Sequence, residues 1–275
     1  HWIFFVNLPI GILGTWMVIR YVPDFKPVGR QRFDYWGALT LCITLLTFLV
    51  GLTMGQRLGF GAPAVVALLL SAVIFLAIFI NLELRVDEPM LDLRLFQNSL
   101  FSVSLITGFI VFVCLSGSLL LIPFYAENAL GLNPQQTGLL MGVVPVALGI
   151  VAPISGALSD RYGSRLITVA GLAMLTLGFF LVSGLSAETT IPAYILRFLP
   201  IGVGMGMFQS PNNSTIMGAA PRSRLGIASG MLSVTRTLGQ TTGIAILGAL
   251  WAGQVFKDVG HVLPAGATTA PVASQ

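Results

Sequence analysis

Leu100–Pro123, LFSVSLITGFIVFVCLSGSLLLIP, carries no charged side chain over a length that matches the ~20 apolar residues of a bilayer crossing. In hydrocarbon only a helix satisfies its own backbone hydrogen bonds, so the stretch reads as a transmembrane α-helix. Seven comparable stretches flank it, giving spans at about 2–21, 34–54, 63–83, 100–123, 135–157, 164–185, 190–212 and 225–253, with edges uncertain by roughly 2–4 residues. The alternating ten-residue strands of a membrane barrel are absent. The expected fold class is therefore all-α, a polytopic transmembrane helical bundle.

Composition agrees. Charged residues make up 9% of the chain and apolar ones 55%, whereas a soluble domain has roughly 25% charged residues. No water-facing surface can be assembled from such a chain, and the lipid bilayer is its first partner. A formal charge of +4 could point to nucleic acid, but the cations sit between spans and form no aromatic-interleaved patch, so nucleic acid is excluded as a partner.

The cations instead report sidedness. Arg20, Lys26, Arg30, Arg32, Arg85, Arg94, Arg161, Arg165, Arg222 and Arg224 lie in or beside alternate gaps, while the opposite gaps hold Arg57 and Lys257. By the positive-inside rule the first set faces the cytoplasm, the first span runs inward, and both ends of the chain lie outside. Trp16, Tyr21, Tyr35, Trp36 and Tyr162 fall at the expected inner boundary and Trp2, Tyr125, Tyr194 and Trp251 at the outer one, as aromatic belts do.

His1 opens directly onto an apolar helix without an initiator Met, a basic leader region or a cleavage site, so the chain is expected to be a piece of a longer protein. The stretch from Lys257 to Gln275, rich in Pro, Gly, Ala and Thr, fits an outer loop. Cys42 and Cys114 lie in separate spans without CxxC spacing, so neither a disulfide framework nor a metal site is expected. The inner loops Tyr21–Phe33 and Leu84–Asn98 divide the chain into residues 1–33, a two-span hairpin with its inner loop over 34–98, and a helical block over 99–275.

Gly and Pro are concentrated within the spans: Pro123, Pro145, Pro153, Pro200 and Pro211, with Gly202, Gly204 and Gly206 in one helix and Gly239, Gly243 and Gly248 in the last. Two readings stand, close packing through small residues and bend points for helices that rock between two arrangements. Gly202, Gly204 and Gly206 lack the spacing and the strand of a dinucleotide loop. Phe109, Phe112, Met141, Met205, Met207 and Phe208 could form an adaptable apolar pocket or simply face lipid.

The segment Gly156-Ala157-Leu158-Ser159-Asp160-Arg161-Tyr162-Gly163-Ser164-Arg165 joins two spans on the predicted inner side. Gly156 and Gly163 suit a tight turn. Asp160 is expected just before a helix start, where its carboxylate can accept backbone N–H groups. Arg161 and Arg165 add cations on the same rim, so that the loop can hold two helix ends together in one state and release them in another. A plain turn would use the arginines but would not need Asp160 between two glycines.

This G-x-x-x-D-R-x-G-x-R pattern resembles the inter-helix signature of the major facilitator superfamily. Trp2-Ile3-Phe4-Phe5-Val6-Asn7-Leu8-Pro9-Ile10-Gly11, Phe33-Asp34-Tyr35-Trp36-Gly37, Leu91-Asp92-Leu93-Arg94-Leu95-Phe96, and Ala228-Ser229-Gly230 with Arg236 and Gly239 are similar, in order, to stretches of its fourteen-span drug:proton antiporter branch. The resemblance implies that residues 1–33 end a first half, that 34–98 is the inserted hairpin of that branch, and that 99–275 is the second half without its final span, eight spans of fourteen in all. It implies proton-coupled efflux of small amphipathic substrates across the cytoplasmic or inner membrane, with no cofactor beyond the proton gradient. In a Gram-negative cell it implies a periplasmic adaptor and an outer-membrane channel as further partners. The acidic residues all fall in loops or at span ends, so no proton carrier at mid-membrane is nominated.

Two cations do lie within spans. Arg197 is expected in the outer third, where it either snorkels or joins the path. Arg236 lies deeper among Thr235, Thr237, Gln240, Thr241 and Thr242. At the bilayer centre an Arg costs roughly 2.5–3.5 kcal/mol on insertion scales, so it should face the bundle or a wet cavity. Gln209, Asn212, Asn213, Ser214 and Thr215 form a polar run at the expected inner end of the seventh span, bonding neighbouring helices or lining an inward opening. The candidate transport path is thus Arg197, Gln209, Asn212, Arg236 and Gln240. Asn212-Asn213-Ser214 also matches a glycosylation sequon, rejected because it faces inward. Rival readings are a metabolite porter of the same fold and a membrane receptor or assembly subunit that transports nothing. An intramembrane enzyme finds no support, since HExxH, GxSxG and any histidine within a span are absent.

Overall fold

The computed structural model describes residues 5, 7–21, 34–86, 89–221 and 224–259, which fall in two compact units, His1–Phe33 and Asp34–Gln275. The first unit contains helix α1 (Asn7–Tyr21), with Arg20 in its last turn, where a cation opposes the negative end of the helix dipole. The Arg20 guanidinium stands 5.7 Å from the centre of the Tyr21 ring. Trp2, Lys26, Arg30, Arg32, Asp87, Glu88, Arg222 and the tail from 260 onward lie outside the described residues.

The second unit runs α2 (Tyr35–Leu58), α3 (Pro63–Glu83), a 3-10 turn (Leu93–Gln97), α4 (Ser99–Phe124), α5 (Pro134–Met141), α6 (Val143–Tyr162), α7 (Ser164–Val182), α8 (Ile191–Ala219) and α9 (Leu225–Val259). No strand occurs among the described residues. Helix starts follow local chemistry. Asp34 accepts from Gly37 N–H at 2.8 Å, Asn98 from Leu100 N–H at 3.0 Å, and Asn133 and Gln136 cap each other's backbone ahead of α5, each supplying a partner to an N–H that the helix leaves open.

Six helical stretches are long and apolar enough to cross a membrane: α2, α3, α4 with the turn after it, α5 with α6, α7 and α8. They match six of the eight expected spans. The first expected span is described continuously only from Asn7 on, and its apolar part, Leu8–Tyr21, is shorter than a crossing. The eighth is the 35-residue α9, ample in length but diluted by Arg236, Gln240 and a run of threonines. The fifth span is divided at Gly142, between α5 and α6. The seventh does not stop at 212, because α8 continues to Ala219 through Pro211.

Helix α8 is the centre of one packing group, flanked by α6 and α7; α4 packs along α9, and α2 with α3 forms a hairpin that also touches α9. Small residues set these distances, as in membrane bundles generally. A Cβ at Gly204 would stand 2.7 Å from Leu175 N and 2.8 Å from Gly171 O on α7, and one at Gly202 would stand 2.7 Å from Val144 O on α6. At these glycines close packing, rather than bending, is the observed role. Ser155 on α6 adds a 2.6 Å hydrogen bond to the Gly206 carbonyl. Around α8 the core gathers Tyr194, Phe198, Ile201, Met205 and Phe208, with the Tyr194 and Phe198 rings stacked at 4.2 Å. A second cluster, including Leu95, Phe101, Leu105 and Ile216, closes one end of the bundle.

The remaining surface is aliphatic, with Ile74, Leu139, Phe180 and Leu196 exposed. In water such a surface would drive aggregation; in lipid it is the solvated face. Many hydroxyls on the helices bond to their own backbone one turn back, as Thr44 to Thr40 O and Thr107 to Val103 O do, and these present no open donor to hydrocarbon.

Candidate functional site

Helix α9 meets α4 main chain to main chain. A Cβ at Gly239 would stand 2.8 Å from the Phe109 carbonyl oxygen, and one at Gly243 would collide with the Val113 carbonyl. Because that glycine face is committed to α4, the neighbouring positions Arg236 and Gln240 are left exposed on α9. The Arg236 guanidinium lies 5.2 Å from the centre of the Phe112 ring, where the electron-rich face of the ring attracts the cation. Phe112 was expected to be pocket lining or lipid filler, and its pairing with Arg236 depends on helix packing that the sequence does not display.

Asn212 approaches the same helix from α8. It is 5% exposed, and its Nδ2 lies 3.5 Å from where a Gly108 Cβ would stand. Gly108 and Phe112 are one turn apart near the middle of the 26-residue α4, so Asn212 and Arg236 each approach that part of the helix. Seven further residues of α8 follow Asn212, so it lies about 10 Å before that end of the helix at 1.5 Å per residue. Gln209, one turn earlier on α8, is half-buried.

Arg197 is elsewhere. It sits about 22 Å along α8 from Asn212 at the same rise per residue, and its Nη1 donates to the Gly184 carbonyl just past the end of α7. Tyr125 Oη donates to the Ser186 carbonyl of the same loop at 2.6 Å, so two side chains tie this turn to α8 and to the segment after α4. The structure thus sets Asn212 and Arg236 against neighbouring turns of α4 and keeps Arg197 apart.

The motif Gly156 to Arg165 has a different local form from the one expected. Asp160 does not precede a helix; it lies in the last turn of α6, which runs to Tyr162, and α7 begins at Ser164 without a side-chain cap. The whole turn is one residue, Gly163, with φ of 89°, a conformation that costs other residues energy. Gly156 is not part of the turn. It sits within α6, where a Cβ would stand 3.0 Å from Ser210 Oγ of α8. Asp160, Arg161 and Arg165 are all exposed, and the Arg161 guanidinium stands 5.4 Å from the centre of the Tyr162 ring. Among the described residues the one ion pair is Arg224 with Asp92, at 2.9 Å, which joins two of the cation-bearing loops.

An apolar cleft of about 250 Å³ opens between α4, α5, α6 and α8, with Met141, Pro145, Tyr194 and Phe198 in its wall. Its flexible thioether and stacked rings suit an apolar guest of variable shape. No group of three or more metal-ligating side chains occurs among the described residues.

Comparison with known proteins gives the chain its relatives. The family described as Major Facilitator Superfamily matches residues 1–244. The uncharacterized transporter YebQ of Escherichia coli is 34% identical over 99% of this chain and 60% of its own length. Multidrug resistance protein Stp of Mycobacterium tuberculosis is 33% identical, covering 91% of this chain and 46% of that protein. Riboflavin transporter RibZ of Clostridioides difficile is 31% identical, over 91% and 54% respectively. The chain therefore spans about half the length of the curated relatives it matches.

Proposed function

The chain belongs to the major facilitator superfamily, and on that premise we propose that it forms part of a secondary active transporter of the fourteen-span drug:proton antiporter branch. It exports amphipathic organic compounds across the cytoplasmic membrane in exchange for entering protons, and both ends of the segment lie on the outer face. The observation that carries the reading is the convergence of Arg236 and Asn212 on the middle of α4. A cation at that depth is tolerated only beside protein or water, which favours α9 as a wall of the substrate or proton path rather than a lipid-facing helix. Relatives named for multidrug resistance and the apolar cleft beside Tyr194 support the substrate class.

In this reading the helices of the segment rock against the rest of the transporter. Asp160, Arg161 and Arg165, exposed on the inner rim, engage that part in the outward-facing state and release it in the inward-facing one. Cells expressing the full-length protein are expected to show proton-dependent dye efflux. Asp160→Asn should lower its rate at least about tenfold, or roughly 1.4 kcal/mol, at equal protein level. Arg236→Gln should lower it to a similar degree with the protein still monodisperse. Efflux unchanged in both variants would refute the assignment. A metabolite porter is the second reading, favoured by the relative named for riboflavin transport. Uptake or release of labelled riboflavin without dye efflux would select it.

A further inference from the structure

The hairpin closes on itself at its inner end. Asp34, which precedes α2, and Glu83, the last residue of α3, meet over Gly37. Asp34 uses Oδ1 to accept from Gly37 N–H, while its Oδ2 is buried without a partner. Glu83 is 4% exposed. Its Oε2 accepts from Leu91 N–H at 3.1 Å, and its Oε1 is likewise buried without a partner. Both unpartnered oxygens point at one spot. A Cβ at Gly37 would stand 2.8 Å from Glu83 Oε1 and would collide with Asp34 Oδ2. The missing side chain of Gly37 is the space in which the two carboxyl groups face each other.

The neighbouring charges do not resolve this encounter. Arg85, Arg94, Arg224 and Asp92 line, together with Glu83, a cleft of about 320 Å³. Arg224 is paired with Asp92, and neither Asp34 nor Glu83 has an ion pair among the described residues. Glu83 is buried and Asp34 half-buried, with one unpartnered oxygen of each turned to this gap, so like charge and lost hydration act together against two charges there. One proton placed between them turns two acceptors without donors into a single O–H···O hydrogen bond.

We propose that Asp34 and Glu83 form a proton-binding site at the inner end of the inserted hairpin, holding one proton between Asp34 Oδ2 and Glu83 Oε1. The proton keeps the two ends of the hairpin together and, through Leu91 N–H, keeps the following loop against them. The next residue, Asp92, binds Arg224 ahead of α9, so occupancy of the site bears on how the hairpin is tied to α9. The proposal stands independently of what, if anything, the chain transports.

Infrared spectroscopy of the full-length protein in lipid nanodiscs, titrated in pH, tests it. The expected result is one carboxylic-acid carbonyl band that persists at neutral pH, shifts in deuterium oxide, and disappears in Glu83→Gln and in Asp34→Asn, each of which leaves a single carboxylate with an amide partner. Gly37→Ala, which wedges the two oxygens apart, is expected to lose the band while both acids remain. A neutral-pH band unchanged in all three variants, or absent from the parent protein, overturns the proposal. So does a thermal midpoint raised by sodium ions in the parent but not in Asp34→Asn, since a metal cation then fills the site. Should Glu83→Gln not fold, the parent titration together with Asp34→Asn decides the matter.

Discussion

Helices α3 and α8 invert the rule that governs soluble proteins. Among the candidate spans α3 is the most apolar yet among the least buried, while α8 is the least apolar and the most buried. Helix α8 holds Asn212, Pro211 and three glycines inside the protein, whereas α3 buries only Val65, Ala72, Phe79 and Glu83 and shows lipid a run of Leu, Val and Ile. Where the solvent is hydrocarbon, apolar area is cheap to expose, and polar or backbone-bearing surface has to be enclosed. Burial in α8 is marked by small and polar residues as well as by large apolar ones.

The largest test of that contrast is Gly204→Val. Its branches have nowhere to go between Gly171 and Leu175, and the cost is expected to reach or exceed about 1–3 kcal/mol, seen as a lower thermal midpoint or loss of the monodisperse peak. Ser155→Ala sharpens it, since the bond to Gly206 O joins two enclosed helices. An interhelical hydrogen bond in a membrane averages roughly 0.6 kcal/mol, and the midpoint should fall by a correspondingly small amount. Smallest is Ile74→Ala on the outer face of α3, 57% exposed, with an expected change within about 0.5 kcal/mol. If Ile74→Ala instead costs as much as Gly204→Val, the outer face of the hairpin is covered by protein and the contrast fails.

Hydropathy made the helical type and the order of six of the eight expected spans legible, because it is carried by composition over a window. Boundaries were less so. Pro211 followed by Asn212, Asn213 and Ser214 resembles an exit from the membrane, yet the surrounding helices supply the contacts that let α8 continue. Asp160 looked like the start of α7, but Gly163 alone makes the turn, which leaves Asp160 as the end of α6. Pairings between distant residues were illegible. Asp34 and Glu83 lie at opposite ends of a hairpin, and Phe112 and Arg236 on helices far apart in sequence, so only the folded arrangement brings them together.

The main-chain contact of α9 with α4 at Gly239 and Gly243 has a mechanical side. Side chains that interlock act as teeth, and a shift of one helix along another must lift them out of register. Past the two glycines the pair is toothed: Leu247 of α9 fills the space that Gly117 leaves on α4, and Trp251 stacks on Phe124. A lengthwise slip of α9 would have to draw Leu247 out of that notch, so the close approach at Gly239 and Gly243 keys the two helices to travel as one body.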